Sequence, residues 1–189
     1  MKRARILFYV TPKFKWKYLA NWLISVWTRS KYSHCEIHDP RREWVSATKQ
    51  KEMFERYDSL LKKNVPVGTM HTATMRGEDN GTVCRPASEV LTHPENWRYI
   101  EIEIENDTAF AAGMAYMDYQ VKINKGYSRW DLLKFISPIH FPDNKRNICS
   151  EFCHNFLYYV GIFKKKGIVS PKKLHKKLTK LGYKAFKLQ

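Results

Sequence analysis

The stretch "WRYIEIEIE", Trp97 to Glu105, constrains the fold more than any other. From Ile100 onward isoleucine and glutamate alternate, so in an extended chain Ile100, Ile102 and Ile104 share one side while Glu101, Glu103 and Glu105 share the other. Such a strand has one buried and one wet face. The buried side needs a cover, and three segments have the signals of helices. "NDTAFAAGMAYMDYQ" follows at once, with Asn106 or Asp107 as the N-cap. "CSEFCHNFLYYVG" closes on Gly161. "SPKKLHKKLTKLGY" opens on Ser170 and Pro171 and closes near Gly182.

Other segments extend the pattern. "RILFYV" (Arg5 to Val10), "GTVCRPASEV" and "YKAFKL" have strand character, and "YSHCEIH" and "EWVSATK" suit an antiparallel pair across a turn at Asp39 and Pro40. "WKYLANWLISVWT" puts Trp16, Leu19, Ala20, Leu23 and Trp27 on one helical face. "SRWDLLKF" has Ser128 three residues before Asp131, close to a capping box. The polar, poorly periodic residues 50–80 are expected to form a variable insertion, with a short helix near 52–61. There is no repeat or linker, and a chain of 189 residues with 43% hydrophobic and 14% aromatic content can bury one core. The expectation is a single α+β domain over 1–189 with a lysine-rich C-terminal helix at about 170–182.

Composition then narrows function. No apolar run approaches the roughly 20 residues of a membrane-spanning helix. The N-terminal apolar run is too short for a secretory leader and suits a first strand. Four cysteines (Cys35, Cys84, Cys149, Cys153) lack the spacing of a secreted scaffold, which implies reduced thiols and a cytoplasmic setting. Net charge is +16, no acidic residue follows Glu151, and the last 26 residues carry ten lysines. Such a field attracts anionic membrane surfaces or nucleic acid, or it is simply a solvated face. Leu174, Leu178 and Leu181 fall on one side of this segment, which then docks on the domain core or lies on an anionic surface. No base-reading motif is present, so specific DNA recognition is not expected.

The chemistry-bearing residues lie far apart in sequence. Cys149 stands at the N-terminal end of its helix, where unpaired backbone N–H groups favour the thiolate and can hold an oxyanion. Cys153, one turn on, lies on the apolar stripe and behaves as a small hydrophobe. In the strand "YSHCEIH", His34, Glu36 and His38 point to one side and Cys35 to the other. A histidine facing the head of that helix would serve as general base and then acid. Zinc held by His34, His38, Cys149 and Cys153 is the competing arrangement. It is strained, because His34 and His38 stand roughly 13 Å apart along an extended strand.

Taken in order, "ILFYV", the tryptophan-rich helix, "WTRSKYSHCEIH", "EWVSATK", "GTVCRP", "GYSRWDLLKF" and "NICSEFCHNFL" resemble a known family. It is the circularly permuted branch of the NlpC-type papain-like cysteine hydrolases, which includes YiiX-like proteins and, more distantly, the lecithin:retinol acyltransferase group. The resemblance covers most of the chain outside 50–80 and the lysine-rich end, and "YSHCEI" and "CSEF" are its most specific pieces. It implies a permuted papain-like fold, an antiparallel sheet or small barrel packed with helices. It also implies a thiol hydrolase or acyltransferase acting on a peptide, amide or acyl-ester substrate without a cofactor. Cys149 matches the nucleophile and His34 the base; Tyr32 and Ser150 fall at substrate-facing positions. The orienting third residue falls at Ser46 on "EWVSATK", with Glu36 and Glu43 as alternatives. Ser128 stands where the family often has aspartate. A cytoplasmic location in a bacterial or phage-infected cell, or carriage in a virion, suits a hydrolase of this kind.

Overall fold

The structure is a computed structural model that describes residues 2–11, 26, 29–39, 68–74, 81–123 and 148–188. The strands are β1 (Lys2–Val10), β2 (Tyr32–Asp39), β3 (Thr69–Thr74), β4 (Gly81–Pro86), β5 (Trp97–Ile104) and β6 (Ala185–Lys187). They form one six-stranded sheet in the order β4-β3-β2-β1-β5-β6. Every pairing in it is antiparallel. Helices α1 (Asp107–Lys122), α2 (Cys149–Tyr159) and α3 (Pro171–Lys180) pack with the sheet. The architecture is α+β.

Register explains which side the helices cover. Ala4 pairs with Ile102 and Ile6 with Ile100 across β1 and β5, so these apolar side chains share one face. On it they meet Phe110 and Met117 of α1, Phe152 and Phe156 of α2, and Leu174 and Leu178 of α3 in one core. The opposite face of the same two strands is charged: Arg3 and Arg5 pair with Glu101, and Arg3 also with Glu103. Further along, Leu7, Tyr9, Met70, Leu91 and Trp97 build a smaller apolar cluster.

Local signals set the helix ends. The Asn106 side chain accepts a hydrogen bond from the Ala109 amide at 3.0 Å, and Ser170 accepts one from Lys173 at 3.3 Å. Gly161 and Gly182 adopt φ of 83° and 93°, a left-handed turn that other residues resist, and chain reversal follows each helix.

Two expectations need correcting. Thr69–Thr74 lies within the stretch taken as an insertion, yet it is a strand of the sheet and pairs with both β2 and β4. Its sequence, "TMHTAT", is polar because its side chains take part in hydrogen bonding, so hydropathy hid it. The segment "EWVSATK", the tryptophan-rich helix and "SRWDLLKF" lie outside the described residues. Leu181 does not share the buried face of Leu174 and Leu178: it follows the last residue of α3 and is 55% exposed.

The α1–α2 contact depends on one missing side chain. A Cβ on Gly113 would stand 2.5 Å from Val160 Cγ1 and 2.9 Å from Phe156 Cε2. Gly113→Ala is therefore expected to destabilise the fold by about 1–2 kcal/mol. Overpacking of about 1–3 kcal/mol outweighs the better helix propensity of alanine, about 1 kcal/mol. A lowered urea midpoint at unchanged m-value is the readout.

Candidate active site

The site lies where β2 and β3 part. Their ladder runs through Asp39↔Thr69, His38↔Met70 and Ile37↔His71 and then stops. Helix α2 packs against both strands, and its first residue is Cys149. The N-cap is Ile148, which has no side-chain acceptor, so the first-turn N–H groups receive no side-chain cap.

The Cys149 thiol is held by hydrogen bonds to two neighbours in sequence, the Cys35 thiol and the His34 imidazole. Donation from Cys35 and the charge and hydrogen bond of His34 bring the Cys149 thiol well below its ordinary range, although burial opposes this. Cys35 moves the other way. Burial first, then its hydrogen bonds to Cys149 and Cys153, push its thiol well up, so it remains the protonated donor. Burial likewise raises Cys153, partly offset by Cys35. Only 3% of Cys149 is exposed, and it belongs to the apolar core beneath the helices.

Behind His34 the polar contacts continue. His34 Nε2 lies 2.9 Å from Glu36 Oε1 and 3.1 Å from Thr72 Oγ1. A carboxylate accepts, so Nε2 carries the proton, which leaves Nδ1 as the nitrogen for the sulfur. Glu36 is 1% exposed, and its Oε2 finds no hydrogen-bond partner among the described residues. That carboxylate borders a cavity of about 230 Å³ lined also by Thr72, Thr74, Arg85 and Glu89.

Of the residues singled out from sequence, Cys149, His34 and Glu36 are brought together. Ser46 and Glu43 lie outside the described residues. Tyr32 is engaged elsewhere. Its hydroxyl lies 3.2 Å from His175 Nε2 and its ring stacks on that imidazole at 4.7 Å, which anchors α3. A β-bulge causes this: Tyr9 pairs with His34 but Val10 pairs with Tyr32, so Ser33 is an extra residue and Tyr32 turns toward the helices. Ser150 is fully buried, and its hydroxyl finds no hydrogen-bond partner among the described residues. Cys35 and Thr72 were not singled out. Cys35 sits beside His34 in "SHCE", a usable signal; Thr72 sits in the polar stretch where no periodicity pointed to it. Among the described residues no three His, Cys, Asp or Glu side chains are grouped to hold a metal ion.

Near the C-terminus, Leu174 and Leu178 are buried while Lys172, Lys173, Lys176, Lys177 and Lys180 are exposed. Helix α3 has thus docked on its own domain. Lys177 Nζ donates to His154 Nε2 at 3.2 Å, and His154 stacks on Phe163 at 4.5 Å. Burial, with the Lys177 charge second, lowers His154 to about 4 from 6.5. An unfolded chain protonates this imidazole from about pH 6.5 downward while the folded chain resists until about pH 4, so stability present above 6.5 is lost across that window. Urea midpoints measured at pH 7 and pH 5 are expected to fall, and to fall less in His154→Phe. No described helix is long and apolar enough to cross a membrane.

Comparison of the chain with protein-family models gives no match, and comparison with curated proteins gives none either.

Proposed function

We propose that the chain is a cysteine-dependent hydrolase of the permuted papain-like, NlpC-type kind, cutting an amide, peptide or ester bond through a covalent acyl-enzyme. The observation that supports this best is the chain of contacts from the Cys149 thiol to the His34 imidazole to the Glu36 carboxylate. In the proposed cycle the Cys149 thiolate attacks the substrate carbonyl carbon, and uncapped N–H groups at the head of α2 receive the oxyanion. The imidazolium of His34 gives its proton to the leaving amine or alcohol, and the thioester forms. His34 then takes a proton from water, hydroxide adds to the thioester, and the acid product leaves as Cys149 regains its electron pair. Glu36 takes the third position: it fixes the tautomer and offsets the imidazolium charge, which a serine could not do.

The test uses p-nitrophenyl acetate, an activated ester that needs no specific pocket. A burst of p-nitrophenolate stoichiometric with protein is expected, with one acetyl group on the Cys149 peptide and none in Cys149→Ala. Because the Cys149 thiol lies below its ordinary range, the burst should persist at pH values where an unperturbed thiol is protonated. Acetyl groups spread over surface lysines and half-buried Cys84, without a burst, would dismiss the reading.

A second reading has its own observation. With the leucines of α3 spent on the core, its outward side is cationic, and Lys164, Lys165 and Lys166 are exposed nearby in sequence. A catalytically weak basic module that contacts phosphates would use this surface, and its binding to polyanions would weaken steeply with salt. A flat response between low and physiological salt retires it.

A further inference from the structure

Three thiols meet at the head of α2, although a cysteine nucleophile needs only one. Cys35 hydrogen-bonds both Cys149 and Cys153, and all three belong to the same buried core. The helix that begins at Cys149 packs directly on the strand that carries Cys35, so the two thiols are neighbours, as the roughly 2 Å bond of a disulfide requires. The pair joins a strand to the first residue of a helix. We propose that Cys35 is the resolving thiol of a peroxide-sensitive switch, forming a reversible disulfide with Cys149 that blocks the nucleophile.

This rests on the thiolate character argued above for Cys149. The steps balance as follows. The Cys149 thiolate attacks one oxygen of a hydroperoxide, the O–O bond breaks, and Cys149 becomes a sulfenic acid while the second oxygen leaves, protonated, as water or alcohol. The sulfur of Cys35 then attacks the sulfenic sulfur. The S–O bond breaks, the Cys35 proton departs with the hydroxyl group as water, and the S–S bond remains. Two thiols are oxidised by two electrons and one peroxide is reduced. Cys153 is the poorer candidate for first oxidation, since burial keeps it protonated and peroxide attacks the thiolate. Cys35 is fully buried and Cys149 nearly so, which suits an oxidant as small as hydrogen peroxide and disfavours a bulky one.

The arrangement also protects. Without a nearby thiol, a sulfenic acid proceeds to sulfinic acid, which ordinary thiols do not reverse. With Cys35 in contact, oxidation ends at a disulfide that a dithiol reductant reopens.

The experiment treats the reduced, full-length chain with one equivalent of hydrogen peroxide and then maps linked peptides without reduction. A peptide joining Cys35 to Cys149 is expected, thiols titrated in denaturant fall from four to two per chain, and dithiothreitol restores all four. Cys35→Ser, or Cys35→Ala should serine disturb folding, is expected to leave Cys149 as a sulfenic acid that dimedone traps under the same treatment, and as sulfinic acid once a second equivalent of peroxide is added. A link between Cys35 and Cys153, or sulfinic acid at Cys149 in the wild-type chain, overturns the proposal. Neither readout uses turnover. A disulfide without any ester burst leaves this inference standing and removes the hydrolase reading; a burst without the disulfide does the reverse.

Discussion

His34→Ala is expected to slow ester cleavage through Cys149 by roughly a hundredfold to ten-thousandfold, the range for losing a positioned general acid–base group. Two losses combine. The imidazole no longer shares its charge and hydrogen bond with the sulfur, so less thiolate is present at neutral pH. No group at that point then protonates the leaving atom. Stopped-flow traces separate thiolate loss from proton transfer: thiolate loss shifts the pH profile of the burst upward, while p-nitrophenolate leaves unprotonated, so loss of proton transfer lowers the steady-state plateau, where His34 activates water for deacylation. Glu36→Gln makes a sharper comparison, since it keeps a hydrogen-bond acceptor near Nε2 but removes the charge. An unchanged plateau in His34→Ala would leave the imidazole without a chemical role.

Phe156→Ala is expected to cost about 3–5 kcal/mol of stability, the usual range for emptying a buried phenylalanine site. The ring is fully buried, on the helix that starts with Cys149, and it packs against Gly113 of α1. Neither neighbour is free to collapse into the space: Gly113 has no side chain to move, and Phe152 is itself fully buried. A loss of that size in a chain of 189 residues lowers the melting midpoint by on the order of 10 °C. Calorimetry or circular dichroism reads it directly. The contrast with Gly113→Ala is informative, because one variant empties and the other overfills the same contact.

Much of this was legible in the residues, for reasons that differ from place to place. Alternation of isoleucine and glutamate gave β5 because its two faces meet different surroundings, core on one side and arginines on the other. A cap gave the start of α1, a glycine the end of α2, and both signals the ends of α3, since they act within a few residues and need no tertiary context. Whether Cys149 and His34 stand near each other depends on tertiary folding, and no local signal in either segment reports it. Strand β3 was hidden because Thr69, His71, Thr72 and Thr74 are buried polar residues, and burial of polar groups depends on partners that the local sequence does not reveal. Thr72 was lost with it. The resemblance put Tyr32 at a substrate-facing position, whereas its ring packs on His175, a contact set by one extra residue in the strand that no local signal reveals.

That extra residue, Ser33, divides the labour of β2. On one side of it an aromatic clasp reaches for His175 and ties down the C-terminal helix; on the other, the strand presents an imidazole and its carboxylate back-stop. A single eight-residue ribbon thereby fastens a helix and holds a buried imidazole–carboxylate pair, with no loop between the two.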